Sequence, residues 1–262
     1  MKKRIESIHF TAKKLAIRDV KSEFKQSFIG VAWLFITPLI NTVLWLLISQ
    51  SGLMNQSGLY ENLGLYIFSG TLMWQTFVES FNMVLNQVNA NKSILSKINF
   101  EREALILSGL YKQLIHTSIR YILLLVLILI SIDNAVGSIQ TYLYPLLGFI
   151  LLILSGFALG LILLPFTFLF SDLNKLTQYG LQLWMYISPV VFIKPKTGLL
   201  STLFDFNFLS IPLTIGRQSF YSIGFISSTI CLSYLFLGAA VFVLGIILFR
   251  VTMPIIIERM SN

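Results

Sequence analysis

Apolar residues gather into six long runs, at about 29–49, 63–85, 107–132, 142–170, 176–193 and 225–249, with short polar stretches between them. A helix needs roughly 20 mostly apolar residues to cross a hydrocarbon core, at about 1.5 Å of rise each. The pattern therefore predicts an all-α integral membrane protein with six transmembrane helices, a single transmembrane domain over 1–262. The fourth run is long enough to tilt or kink, and Pro165 is its natural break point. Ahead of the first run, residues 1–27 alternate Ile5, Ile8, Leu15, Ile17 and Val20 with charges, which predicts an amphipathic helix lying on the membrane surface. The connection 194–221 keeps Leu199, Leu200, Leu203, Phe204, Phe206, Phe208 and Leu209. A solvated loop rarely carries so many apolar groups, so a re-entrant pair of short helices is expected there, broken near Pro212. Residues 250–262 are expected to form a cytoplasmic tail.

Composition sharpens this picture. Of the 262 residues 56% are hydrophobic and 11% charged, and the mean hydropathy is +0.81. Too few charges remain to cover a soluble domain, which carries about 25%. The net charge of +8 does not point to nucleic acid, because the cations cluster at the ends of apolar runs, against lipid. Lys2, Lys3, Arg4, Lys13, Lys14, Arg18, Lys21 and Lys25 precede the first run; Lys92, Lys97 and Arg102 follow the second; Lys175 follows the fourth; Arg250 and Arg259 follow the sixth. The connections 50–62 and 133–141 hold neither Lys nor Arg, and only Lys194, Lys196 and Arg217 fall on that side. The positive-inside rule places both termini in the cytoplasm. No cleavable signal peptide is visible ahead of the first run.

The chemistry in the chain is sparse. There is no phosphate-binding Gly-Lys-Ser/Thr loop, no Gly-rich dinucleotide turn, no His/Cys metal cluster and no nucleophile elbow. His9 and His116 are isolated, and the one cysteine, Cys231, lies in an apolar run. The expectation is no catalysis, no metal and no cofactor on this chain, with ATP and Mg on a separate ATPase subunit if work is done against a gradient. No fixed-period repeat appears, and the two halves do not read as an inverted pair, which argues against a secondary transporter. The segment 86–103 is polar and compact. Within it Ile94, Leu95 and Ile98 form one apolar stripe, suited either to a docking helix or to a loop resting on the membrane. Gly156 and Gly160 form a G-x-x-x-G, which lets two helix backbones approach closely, more often within one subunit than between two.

Charges inside the runs demand partners. Glu79 lies near the inner end of the second; Lys112, His116 and Arg120 lie at i, i+4 and i+8 on one face of the third. Counted along the helices, Glu79 and the His116–Arg120 turn sit at similar depth, roughly 6–12 Å in. Either Glu79 pairs with Arg120 or His116, or Lys112 and Arg120 face a cytoplasmic vestibule and receive the phosphate of a lipid carrier.

Five polar landmarks in order carry a family resemblance. The first is Arg18-Asp-Val-Lys-Ser-Glu-Phe-Lys-Gln-Ser-Phe-Ile-Gly-Val-Ala-Trp33, followed by Pro38. The second joins Trp74 and Phe77 to Asn91 and Lys97-Ile-Asn-Phe-Glu-Arg-Glu103. The third is Phe170-Ser-Asp-Leu173, the fourth Gln182-Leu-Trp-Met-Tyr-Ile-Ser-Pro-Val190, the fifth Ile211-Pro-Leu-Thr214 with Arg217. Together they resemble the membrane subunit of ABC-2 type polysaccharide exporters, which serve O-antigen, capsule and teichoic acid export, over roughly residues 16–250. Glu101, Ser171 and Ile211 depart from the usual proline, arginine and asparagine.

The resemblance implies a homodimer with two ATP-binding cassette subunits, exporting a lipid-linked polysaccharide. It implies a bacterial cytoplasmic (inner) membrane, a coupling segment carrying Asn91, Leu95, Lys97, Phe100 and Arg102, and a channel on the dimer axis walled mainly by the first and fifth spans. Trp33, Trp74, Gln182, Trp184 and Tyr186 are its candidate lining. Aromatic faces and indole or phenol donors suit sugar rings, although Trp and Tyr near span ends also serve as interfacial anchors. The fold-back, with Pro189, Pro212 and Arg217, would form an outward gate. Export of a lipid or drug by the same architecture, and an intramembrane glycosyl- or acyltransferase, are the rival readings. The Lys/Arg asymmetry makes the orientation testable by cysteine labelling of intact cells. Asn134→Cys is expected to react with an impermeant reagent and Ser96→Cys to stay protected; the reverse would overturn the orientation.

Overall fold

The structure is a computed structural model that describes residues 2–26, 32–50, 63–91, 101–131, 139–194, 198–221 and 226–261. Its regular elements, among the described residues, are all helices: α1 (Lys2–Gln26), α2 (Trp33–Gln50), α3 (Leu63–Ala90), α4 (Glu103–Ser131), α5 (Gln140–Leu169), α6 (Ser171–Tyr186), α7 (Leu199–Phe206), α8 (Ser210–Arg217) and α9 (Ser228–Ser261). Three are long and apolar enough to cross a membrane: α4, α5 and the Ser228–Ile256 part of α9. A fourth is gained if α7 and α8, bent by 85° at their junction, count as one broken span. Helix α2 is apolar but shorter, and α6 has 16 residues. Helix α3 has 28 residues, but Gln75, Glu79, Asn82, Asn86 and Gln87 crowd its second half.

Helix α5 lies at the centre, packed on α3, α9 and α8; α3 packs in turn on α4 and α2. Two glycines set the α3–α5 distance. A Cβ on Gly156 would stand 2.6 Å from Ser80 Cβ and 2.7 Å from the Phe77 carbonyl oxygen. One on Gly160 would stand 2.7 Å from the Phe81 carbonyl oxygen. The G-x-x-x-G thus joins two helices of the same chain, backbone to backbone. Gly245 similarly lets α9 onto α5, since a Cβ there would meet Leu161 Cβ at 2.7 Å. The core that results is mostly Phe, Leu and Val from α3, α4 and α5, among them Phe77, Phe81, Leu105, Leu124, Phe149 and Phe157.

Four local expectations are revised. Helix α5 runs through Pro165 and ends instead at Phe170, whose backbone is extended. A proline removes one rung of the ladder, and buried Leu161, Leu164 and Pro165 itself hold the chain on course. Helix α9 continues past Arg250 to Ser261, so the described part of the tail is helical. In α1 the buried stripe is Ala12 and Ala16, backed by Leu15, while Ile5 and Ile17 are exposed. The helix packs on α4, and small residues permit that contact where Ile would hold it off. The fourth concerns the fold-back. It breaks at 207–209, ahead of Pro212, which sits in the first turn of α8, where its missing N–H costs no rung.

The close α3–α5 contact makes a direct prediction. Gly156→Ala is expected to lower stability by about 1–3 kcal/mol, because two backbones must separate. Gly180→Ala on α6, where nothing lies within 4 Å, is expected to be neutral or slightly stabilising. Thermal unfolding of both variants in detergent checks the contrast.

Candidate functional site

A cavity of about 780 Å³ opens where α1, α2, α3 and α4 meet, with Met185 of α6 at its edge. Its wall takes Glu23 from α1, Trp33 from α2, Trp74, Gln75 and Glu79 from α3, and Lys112 and Arg120 from α4. On α4 the 3.6-residue period brings Lys112, His116 and Arg120 to one side, as the spacing implied. Two carboxylates from two other helices answer them. Glu79 accepts a hydrogen bond from Arg120 Nη1 and lies 2.5 Å from His116 Nδ1. Glu23 accepts one from Lys112 Nζ and stands 3.5 Å from His116 Nε2. His116 is the bridge, one ring nitrogen toward each carboxylate.

Glu23 is the more exposed of the two carboxylates, at 44% against 25% for Glu79. Burial opposes its ionisation, but hydrogen bonds from His116 and Lys112 outweigh that and hold its carboxyl below the usual carboxylate range. Arg120 is 6% exposed. Its Nε, and Nε2 of Gln75, are buried donors that have no hydrogen-bond partner among the described residues.

Below this cluster a second polar knot ties the end of α3 to α1. Arg18 Nη2 donates to Asn91 Oδ1 at 2.8 Å and to Asp19 Oδ1 at 2.7 Å. Asn91 Nδ2 donates to the Gln87 carbonyl at 2.8 Å, and Gln87 Nε2 to Asp19 Oδ2 at 3.1 Å. Asn91 is fully buried. The first and second sequence landmarks therefore meet through Arg18, Asp19 and Asn91. Leu95, Lys97 and Phe100 lie outside the described residues. Arg102 is at the turn into α4, beside Glu101 and Glu103, which hold Arg4 of α1; Glu103 also holds Arg250 of α9.

At the opposite end of α3, Arg217 at the close of α8 is 1% exposed. Its guanidinium donates to the backbone carbonyls of Tyr66, Pro189 and Val190 and to Ser69 Oγ, and lies 3.8 Å over the Tyr66 ring. The planar fork matches that set of acceptors. Gly70 leaves room for it: a Cβ there would fall 1.9 Å from Arg217 Nη2. Arg217 and Pro189 are thus brought together, while the Pro212 carbonyl faces Gly148 of α5. The bend before α8 turns on Asn207. Its Oδ1 accepts from Trp184 Nε1 and the Leu209 N–H, both at 3.1 Å. Its Nδ2 donates to the Ile187 carbonyl and Ser188 Oγ.

The aromatic residues separate by face. Trp184 packs on Phe77 and Phe208. Tyr186, two residues on and so on the other side of α6, is half-exposed beside Trp45 and Phe192. Gln182 is exposed, as is Trp33. Trp74 is 6% exposed and packs on Phe77, although its edge reaches the cavity. Sequence reasoning missed Glu23, Gln87 and Asn207. The last had a signal, a lone carboxamide inside the apolar stretch Phe204 to Leu209; Glu23 lay in a run of surface-like charges and had none.

The Glu79 pairings predict a specific loss. Glu79→Gln strips the counter-charge from buried Arg120 and the carboxylate partner from His116, and is expected to cost on the order of 3 kcal/mol, read as a lower thermal midpoint in detergent. Glu79→Arg is expected to be defective, and adding Arg120→Glu to restore folding. An unchanged midpoint for Glu79→Gln would remove the ties from the structural account.

No protein-family model matches the chain. It is 27% identical over 180 residues to the O-antigen export system permease protein RfbA of Myxococcus xanthus, a match that takes in 68% of this chain and 66% of that protein, just under two thirds of its length. That similarity and the five landmarks in order make this chain similar to the ABC-2 type polysaccharide exporter permeases.

Proposed function

We propose that the chain is the membrane-spanning permease subunit of an ATP-driven exporter. It moves a lipid-linked polysaccharide, of O-antigen, capsule or teichoic acid type, across the cytoplasmic membrane. Two copies form a channel on their common axis, and two ATP-binding cassette subunits supply the energy. The observation that carries this reading is the uncovered face of α6. Gln182, Tyr179 and Tyr186 are all exposed there, a mixture of carboxamide and phenol that suits neither lipid nor a packed core. It does suit a sugar chain, which stacks its C–H faces on aromatic rings while phenols and amides hydrogen-bond its hydroxyls. Uncharged walls let a polymer slide where fixed charges would hold it.

In this reading α2 to α6 and α9 supply the six spans, and both termini are cytoplasmic. Trp33, Gln182 and Tyr186 line the channel; Trp74 and Trp184 back that wall from the core side. Segment 86–103 receives the push of the ATPase through Asn91, Leu95, Lys97, Phe100 and Arg102. The Arg217, Pro189 and Pro212 region works as the outward gate. Hydrolysis belongs to the partner subunit, and this chain is a transport subunit without catalytic chemistry of its own.

Affinity purification of the full chain from its own cells tests the assignment. An ATPase and a lipid-linked glycan are expected to come with it; a drug or free lipid in place of the glycan would turn the reading toward the rival cargo. Within that complex, Gln182→Ala with Tyr186→Ala is expected to lower export of long glycans severalfold at unchanged assembly. Phe100→Asp is expected to leave hydrolysis running without export. Normal export by both variants would overturn the channel wall and the coupling segment.

A further inference from the structure

The bend ahead of α8 is held by one buried carboxamide that uses all four of its hydrogen-bonding positions. Asn207 Oδ1 accepts from Trp184 Nε1 and from the Leu209 N–H. Its Nδ2 donates to the Ile187 carbonyl at 2.9 Å and to Ser188 Oγ at 2.7 Å. Trp184 lies in the last turn of α6 and Ile187 caps that helix, while Leu209 caps the start of α8. One side chain therefore closes the end of one helix and the beginning of another, where backbone groups lack helical partners. Asparagine suits the place: its oxygen takes two hydrogen bonds and its nitrogen gives two. The helices around the bend are not equally fixed. Helix α8 is locked to the body by Arg217, and a Cβ on Gly148 of α5 would stand 2.7 Å from Gly216 Cα. Helix α7 turns Phe204 inward but leaves Leu199, Leu200 and Phe206 exposed. It meets α8 at 85°, so α8 does not run on into α7 to set its direction. Helix α6 has a separate tie, from Gln178 Nε2 to Asn82 Oδ1 of α3 at 2.6 Å.

We propose that Asn207 is the latch of the outward gate, a positioning residue that holds α7 against the end of α6 and releases it when α6 moves. The proposal deepens the exporter reading and rests on it for the channel that the gate closes. At rest the carboxamide joins α7 to Trp184, Ile187 and Ser188. A polymer that displaces the Gln182 and Tyr186 face of α6 shifts Trp184 and Ser188 as well, because they lie on the same turns of chain. The bonds to Asn207 then break, and α7 swings free while Arg217 keeps α8 in place. Trp184 carries the signal from the wall, and its ring is seated between Phe77 and Phe208 whether or not its N–H is bonded.

The experiment uses the full chain with its ATPase subunit in lipid vesicles without ATP. It reads release of a small trapped dye, amide hydrogen exchange over Leu199–Phe206, and the thermal midpoint. Trp184→Phe removes the bond to Asn207 Oδ1 and keeps an aromatic ring between Phe77 and Phe208. It is expected to raise dye release and α7 exchange by about tenfold, the population shift that loss of one buried hydrogen bond gives. Its midpoint is expected to stay close to the parent's, which a merely structural bond would not combine with a leak. Asn207→Ala removes all four bonds and is expected to exceed Trp184→Phe in both readouts; where it does not assemble, Trp184→Phe alone decides. Gln178→Ala cuts the separate tie of α6, spares the latch, and is expected to match the parent. Unchanged α7 exchange in Trp184→Phe overturns the latch, and so does an equal gain in Gln178→Ala. Faster α7 exchange without dye release leaves the tie standing and overturns the channel it was to close, so failure of the exporter reading is read separately from failure of the latch.

Discussion

Hydrocarbon gives packed helices no hydrophobic reason to stay together, so they are held by close backbone approach and by polar ties that hydrocarbon cannot satisfy. Helix α3 is where both act. Along its 28 residues, roughly 42 Å of rise, it is tied at three levels. Near its start Arg217 joins it to α8 and to the turn after α6. At mid-length Glu79 joins it to α4. At its end Gln87 and Asn91 join it to α1. Between the ties, Gly156 and Gly160 bring α5 against its backbone. The Arg217 and Glu79 ties engage buried groups that would be costly to leave without a partner. The register of α3 against its neighbours is therefore set by a few polar side chains, and the apolar residues fill in around them.

A frame held from within leaves its outer faces free to differ. Helix α9 has only 11% of its apolar window buried, and its exposed side chains are Leu232, Phe236, Leu237, Val243, Leu244 and Ile247. That is a surface made for acyl chains. Helix α6 is exposed to a similar degree but carries Gln182, Tyr179 and Tyr186 along with Leu183. The two faces differ in chemistry while sharing exposure, so exposure alone does not distinguish lipid from pathway. Nothing in a lipid tail accepts hydrogen bonds from the Gln182 carboxamide, which is what supports the proposed pathway on α6.

The first four apolar runs gave their helices to within about five residues, but the fifth overran the end of α6 at Tyr186 and the sixth stopped well short of the end of α9 at Ser261, where hydropathy no longer marks the helix boundary. Spacing likewise put Lys112, His116 and Arg120 on one face, a consequence of helical period alone. What escaped depended on contacts between elements. Ala12 and Ala16 are buried in α1 because α4 comes close, and no pattern within α1 announces a neighbour. Pro212 drew the expected break, yet a proline in a first turn is harmless; Asn207 makes the bend by satisfying backbone groups on both sides of it. Depth along the helices had offered Glu79 as a partner for Arg120 or His116, but Glu23, in the surface-like charges of α1, reaches the same histidine only through the packing of α1 on α4.

Helix α1 links the two polar clusters on the Glu79–Asn91 half of α3. Asp19 is bonded to Gln87 and shares Arg18 with Asn91, the residue that leads into segment 92–100. One turn further on, Glu23 faces Lys112 and His116. Positions i and i+4 on a helix move as one body. One rigid turn of α1 therefore holds the end of α3, through Asp19 and Gln87, and the Lys112–His116 face of α4, through Glu23, in a fixed relation.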